Sequence, residues 1–175
     1  MEENLISNLV SSKPGLIVCL KGISNIGKTG TIIELIRMLL PRSTRAPQWN
    51  NPNSPPPLPL NNPPKTLNVE VWVNSNTTGS NIHIGLDTTG DNGNDIRQRV
   101  RRLAENGCSL IFCTCRSQGD PYAAVKEIAN QYGYNLITTA PYTLEIPHLQ
   151  TPPRQPQPIH IALHRRGAEH LETFI

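Results

Sequence analysis

Eight consecutive residues, Gly22-Ile-Ser-Asn-Ile-Gly27-Lys28-Thr29, fit the pattern G-x-x-x-x-G-K-[ST] directly after an apolar run and directly before a helical one. Glycines at 22 and 27 let the backbone between them turn its N–H groups inward, and a helix beginning here aims its positive end at the same point. The chemistry this serves is capture of a polyphosphate. Gly22, Ser24, Asn25, Ile26, Gly27 and Gly30 are expected to line the loop, Lys28 to reach the β- and γ-phosphates, and Thr29 to offer its hydroxyl to Mg²⁺.

Such a site needs a carboxylate at the end of a neighbouring strand, where it holds Mg²⁺ or its water on the open side of the sheet. In NIHIGLDTTGD, Asp87 ends the apolar run and Asp91 follows in the turn. Asp87 is the preferred metal residue, with Asp91 as the second acidic candidate. Arg116 follows the apolar run SLIFCTC and is expected at the same sheet edge, where its planar fork suits a γ-phosphate or a second substrate's phosphate. The plainer alternative is an arginine that caps the strand or pairs with Asp120. Lys28, Asp87, Asp91 and Arg116 are thus the catalytic candidates.

Other polar residues read as structural. Arg97, Arg99, Arg101 and Arg102 crowd one predicted helix without sharing a face, which suits a solvated surface better than a nucleic-acid patch. The histidines, including His83, His160 and His164, show no zinc-protease spacing and are assigned to local hydrogen bonding. Cys19, Cys108, Cys113 and Cys115 lie in or beside apolar runs, as reduced thiols do. Cys113 and Cys115 are expected on opposite faces of a strand, with no second ligand pair to complete a metal site.

The elements that position these groups alternate as in an α/β domain. Leu16 to Lys21 is a buried strand, Gly27 to Leu40 a helix stopped by Pro41, and Leu67 to Asn74 with Asn81 to Asp87 an antiparallel hairpin. Asn94 to Asn106 is a helix, Ser109 to Cys115 a buried strand, and Pro121 to Tyr132 a helix. Tyr134 to Thr138 and Ile159 to Leu163 are expected as strands, with a short last helix near Ala168 to Phe174.

The 175 residues suit one domain, 1–175. Its 17 prolines cluster in an inserted loop at 41–65 and a connector at 147–158, neither of which can be regular helix or central strand. The first loop is long enough to act as a lid, and segments such as Pro55-Pro56-Pro57-Leu58-Pro59 are candidate docking sites for a protein partner. A net charge of +3 is too weak to point to nucleic acid, no apolar stretch reaches membrane-spanning length, and no secretory leader is visible, so a cytoplasmic protein is expected.

GISNIGKT after LIVCLK resembles the P-loop (Walker A) nucleoside-triphosphatase superfamily. The resemblance implies a three-layer P-loop NTPase fold: a mainly parallel sheet with an antiparallel hairpin and helices on both faces. Asp87-Thr88-Thr89-Gly90 resembles the D-x-x-G segment of Ras-like and translational GTPases, which implies that Asp87 serves Mg²⁺ through water and the Gly90 amide senses the γ-phosphate. Those proteins read guanine with N-K-x-D or T-K-x-D, whereas this chain has Thr138-Thr139-Ala140-Pro141-Tyr142 at the equivalent position. ATP is therefore favoured over GTP. The expected activity is Mg²⁺-dependent hydrolysis of a nucleoside triphosphate. The alternatives are a small-molecule or nucleotide kinase and a nucleotide-dependent assembly module with little hydrolysis.

Overall fold

The computed structural model describes residues 15–22, 27–50, 56, 60–61, 63–64, 66–140 and 158–175. Among these described residues, six strands form one mixed, mostly parallel sheet: β1 (Leu16–Lys21), β2 (Gln48–Trp49), β3 (Asn68–Asn74), β4 (Asn81–Asp87), β5 (Leu110–Cys115) and β6 (Asn135–Thr139), in the order β2-β3-β4-β5-β1-β6. β1 runs parallel to both β5 and β6, and β4 parallel to β5, while β2, β3 and β4 are successively antiparallel.

β1 and β5 are apolar along nearly their whole length because both faces of the central sheet are covered. Val18 and Leu20 enter one core with Leu110 and Phe112, beneath α1 (Lys28–Leu39) and the last helix, α4 (Pro158–Glu172). Ile17 and Cys19 enter the opposite core with Ile111, Cys113 and Cys115, beneath α2 (Gly93–Glu105) and α3 (Asp120–Tyr132). Each helix supplies an apolar stripe at helical spacing, such as Ile32, Leu35, Ile36 and Leu39 on α1, or Ile96, Val100 and Leu103 on α2. Asn92 starts α2 by accepting the Asn94 amide at 2.9 Å, as capping residues do.

Three expectations change. Ile159 to Leu163 is not a strand: it lies within α4, a helix far longer than the one expected near Ala168. Pro158 takes the first helical position, which tolerates a missing N–H, and apolar residues at 161, 168, 171 and 175 recur at helical spacing. Cys113 and Cys115 share one face, as residues two apart on a strand must. The inserted loop 41–65 begins as a 3-10 turn, Leu40–Arg42, and contributes the two-residue edge strand β2, a position where proline-flanked chain is tolerated. Further along, Leu60 is buried in the α1 core and its carbonyl accepts from Arg37. Most of the polyproline run and all of the connector at 147–158 except Pro158 lie outside the described residues. Among the described residues no helix is long and apolar enough to cross a membrane.

Candidate functional site

β1 and β5 end together. Their register pairs Lys21 with Cys115, and the Gly22 amide adds one more rung by donating to the Cys115 carbonyl at 3.2 Å. The chain therefore leaves the sheet at Gly22 and Arg116 side by side. Residues 23–26, which include Ser24, Asn25 and Ile26, lie outside the described residues. The chain resumes at Gly27, whose φ of 85° lies in the left-handed region that glycine enters without strain. α1 begins at the next residue, and Thr31 ties its first turn back to the Gly27 carbonyl through both its amide and its hydroxyl, each at 2.9 Å.

Lys28 is buried, and its Nζ donates to the Gly22 carbonyl at 2.9 Å, tying the start of α1 to the end of β1. Burial holds its pKa below the ordinary lysine value, opposed by the carboxylate of Asp91 and reinforced by the guanidinium of Arg116. Asp91 and Arg116 are thus both within electrostatic reach of Lys28. They also meet each other, Arg116 Nε donating to Asp91 Oδ1 at 3.1 Å. The expected alternative partner, Asp120, is taken by Arg97. Thr29 and Gly30 occupy the partly exposed first turn of α1, on the same edge.

Gly90 holds this group to the sheet. A Cβ there would stand 2.4 Å from Thr114 Oγ1 and 2.8 Å from the Thr114 carbonyl carbon, so only glycine lets the turn carrying Asp91 lie flat on the end of β5. Because backbone is among the obstructing atoms, Gly90→Ala is expected to destabilise the chain by about 1–3 kcal/mol. Urea unfolding measures this, and an unchanged midpoint would contradict the close approach. Beneath Gly90, the hydroxyl of Thr114 is buried with no hydrogen-bond partner among the described residues.

Asp87 does not join this cluster. β5 lies between β4 and β1, so Asp87 ends a strand two places from the phosphate loop, about 10 Å across the sheet, instead of the neighbouring strand expected for it. It is fully buried. Oδ1 accepts from Asn68 Nδ2 at 3.0 Å and pairs with Arg99 Nε at 3.3 Å, while Oδ2 accepts from the Thr89 amide at 3.1 Å. Burial raises its pKa to about 6, although Arg99, Asn68 and Thr89 all oppose the rise.

Arg99 is the residue that sequence reasoning misses. Its neighbours in sequence place it among solvated arginines, yet it bonds Thr89 Oγ1 and pairs with Asp87 at the foot of a cleft of about 570 Å³. Trp49, Asn50, Thr66, Thr89 and Arg102 form other walls of that cleft. A signal does exist: Arg99 follows Ile96 by three residues and precedes Leu103 by four, which sets it on the inward side of α2. Arg97 and Arg101 behave as surface residues, pairing across to Glu127 on α3. The four cysteines are free and buried, with the Cys19 and Cys115 sulfurs 2.8 Å apart.

Compared with protein-family models, curated proteins and solved structures, the chain finds no match in any of the three.

Proposed function

We propose that this chain is a P-loop nucleoside-triphosphate-binding protein with a three-layer α/β fold, that it takes ATP in preference to GTP with Mg²⁺, and that it hydrolyses the γ-phosphate. The observation that carries the reading is the junction at the end of β1. A left-handed glycine and a buried lysine begin α1, the lysine folds back onto the first glycine's carbonyl, and one aspartate and one arginine stand on the same edge. Oxygen donors suited to a hard cation lie there in Thr29 and Asp91, whereas both oxygens of Asp87 are already engaged. The Thr114 hydroxyl, buried beside Gly90 with no hydrogen-bond partner among the described residues, also fits a site built around a polar ligand.

In this reading the loop amides and the α1 N-terminus hold the phosphates, and Lys28 exchanges the Gly22 carbonyl for phosphate oxygens. Thr29 and Asp91 would hold Mg²⁺, which supplies neutralisation of developing charge. Arg116 exchanges Asp91 for a phosphate and stabilises negative charge with its fork. Four free, buried thiols suit a reducing, cytoplasmic setting. The proline-rich loop remains the candidate contact for a protein partner.

A second reading, phosphotransfer to a small acceptor, draws on the cleft beside Asp87. That cavity is large enough for a small molecule, has arginines for an anionic acceptor, and is lined by Thr89 and Arg99, the partners of the buried Asp87, whose pKa burial raises to about 6. Titration with Mg·ATP and Mg·GTP while following both binding and released phosphate, with no acceptor present, tests the two. Hydrolysis predicts binding with phosphate release, and phosphotransfer predicts binding without it. If neither nucleotide binds, both readings fail.

A further inference from the structure

At the opposite end of β5 from the phosphate loop, three side chains from three different elements converge. The β3–β4 register pairs Glu70 with Gly85 and Trp72 with His83, so Glu70 and His83 are diagonal neighbours on the sheet face beneath α2. Cys108 arrives from the turn that ends α2, where Gly107 adopts a φ of 81° and the Cys108 amide returns to the Leu103 carbonyl. His83 Nε2 lies 2.8 Å from Glu70 Oε2 and 3.5 Å from Cys108 Sγ, and the three ligand atoms all fall within 4.8 Å of one another.

We propose that Glu70, His83 and Cys108 bind a divalent transition metal of the zinc class. A single histidine nitrogen faces both partners, and one nitrogen cannot serve two hydrogen bonds with a single proton as well as it can serve one metal ion. Tetrahedral zinc bonds of about 2.0–2.3 Å set ligand atoms roughly 3.3–3.8 Å apart, a spread that small side-chain adjustments reach from the observed distances.

The surroundings are those of a supported ligand set. Glu70 Oε1 accepts from Asn50 Nδ2 at 2.7 Å and from Asn106 Nδ2 at 2.6 Å, which orients the carboxylate and leaves Oε2 for the metal. Trp72 stacks on His83 with ring centroids 4.4 Å apart and fixes the imidazole plane. A Cβ at Gly85 would stand 3.1 Å from Cys108 Sγ and 2.9 Å from Leu103 Cδ1, so the space the sulfur occupies depends on glycine.

Charge agrees with this assignment. Glu70 is 1% exposed, and a carboxyl group so deeply buried needs polar or ionic partners. On uptake the metal replaces the thiol proton of Cys108, the proton leaves to solvent, and the carboxylate and thiolate together neutralise the dication. Three protein ligands leave the fourth tetrahedral position to water, on the side where His83 is 18% exposed. β5 separates this site from Gly22 by about 20 Å, so it is independent of the phosphate loop.

The test uses the full chain, reduced and stripped with a chelator, then titrated with Co²⁺. One equivalent is expected to give tetrahedral d–d bands and a thiolate-to-cobalt charge-transfer band, both removed by Zn²⁺. Cys108→Ser should lose the charge-transfer band and at least tenfold in affinity. Absence of Co²⁺ uptake, or an unaltered thiolate band in Cys108→Ser, overturns the proposal. Glu70→Gln keeps the size of the side chain and provides a second readout: Zn²⁺ is expected to raise the thermal midpoint of the parent chain but not of this variant. A parent midpoint that does not move with Zn²⁺, or a variant that moves equally, also overturns it.

Discussion

Lys28→Ala is expected to abolish phosphate release and to weaken Mg·ATP binding by a factor on the order of ten to a hundred, corresponding to the 1.5–3 kcal/mol typical of hydrogen bonds to a charged group. The effect is large because the ammonium is held at the loop. It is 7% exposed, its Nζ bridges back to the Gly22 carbonyl, and the nearby Asp91 favours its charged form against the burial that disfavours it. A bound triphosphate offers the same ammonium several anionic oxygens in place of one carbonyl. Removing the ammonium leaves those oxygens to amides and Mg²⁺ alone, and leaves the Gly22 carbonyl without this donor. Lys126→Ala is the matched control, since Lys126 is an exposed α3 residue stacked on Tyr122. Far-UV circular dichroism checks that both variants fold. Should Lys28→Ala bind Mg·ATP within twofold of the parent, the phosphate-loop reading fails.

The parts of this site legible in the sequence are those whose geometry is local. LIVCLK can only be a strand covered on both faces, and a G-x-x-x-x-G-K-T stretch between it and an amphipathic helix leaves little freedom for where Lys28 and Thr29 lie. Arg116 is locatable at the same edge because the strands of a parallel sheet end on one side, whichever strand SLIFCTC pairs with. Strand order is different in kind. That β5 intervenes between β1 and β4 follows from long-range pairing, and no local pattern in NIHIGLDTTGD reports that Asp87 ends the second strand over while Asp91 reaches back.

The remaining misses share that cause or come from periodicity too short to read. IHIAL taken alone suits strand and helix equally, and only the run continuing to Ile175 favours the helix. Glu70, His83 and Cys108 are separated by 13 and 25 residues, on two strands and a helix-ending turn, so no ligand spacing joins them until the hairpin register is known. Polar residues alternating with Val69, Val71 and Val73 on β3 are the one available hint. A strand whose second face carries Asn68, Glu70 and Trp72 has a polar layer to account for beneath the helix that covers it.

That polar layer gives the chain a pH dependence with a definite sign. Asp87 has an ordinary carboxyl value of 3.8 when unfolded and about 6 when folded, so the native state holds its proton more firmly than the unfolded chain. The stability it contributes is present in full below about pH 4 and is lost as pH rises through about 6. By pH 7 the loss is on the order of 3 kcal/mol, since each tenfold change in proton affinity is worth about 1.36 kcal/mol. Asp87→Asn cannot ionise. Its amide stands in for the protonated carboxyl at every pH, so whatever packing cost it carries cancels when pH values are compared. The difference in unfolding free energy between parent and Asp87→Asn is therefore expected to fall by about 2–3 kcal/mol between pH 4 and pH 7, measured by urea titration at several pH values. Parallel pH profiles for the two proteins would mean that Arg99 and Asn68 hold the carboxylate ionised throughout. The same titration separates the two functional readings. If Asp87 draws a proton from an acceptor bound in the adjoining cleft, phosphotransfer should switch on with rising pH near 6, whereas hydrolysis supported by Lys28, Asp91 and Arg116 carries no such limb from Asp87.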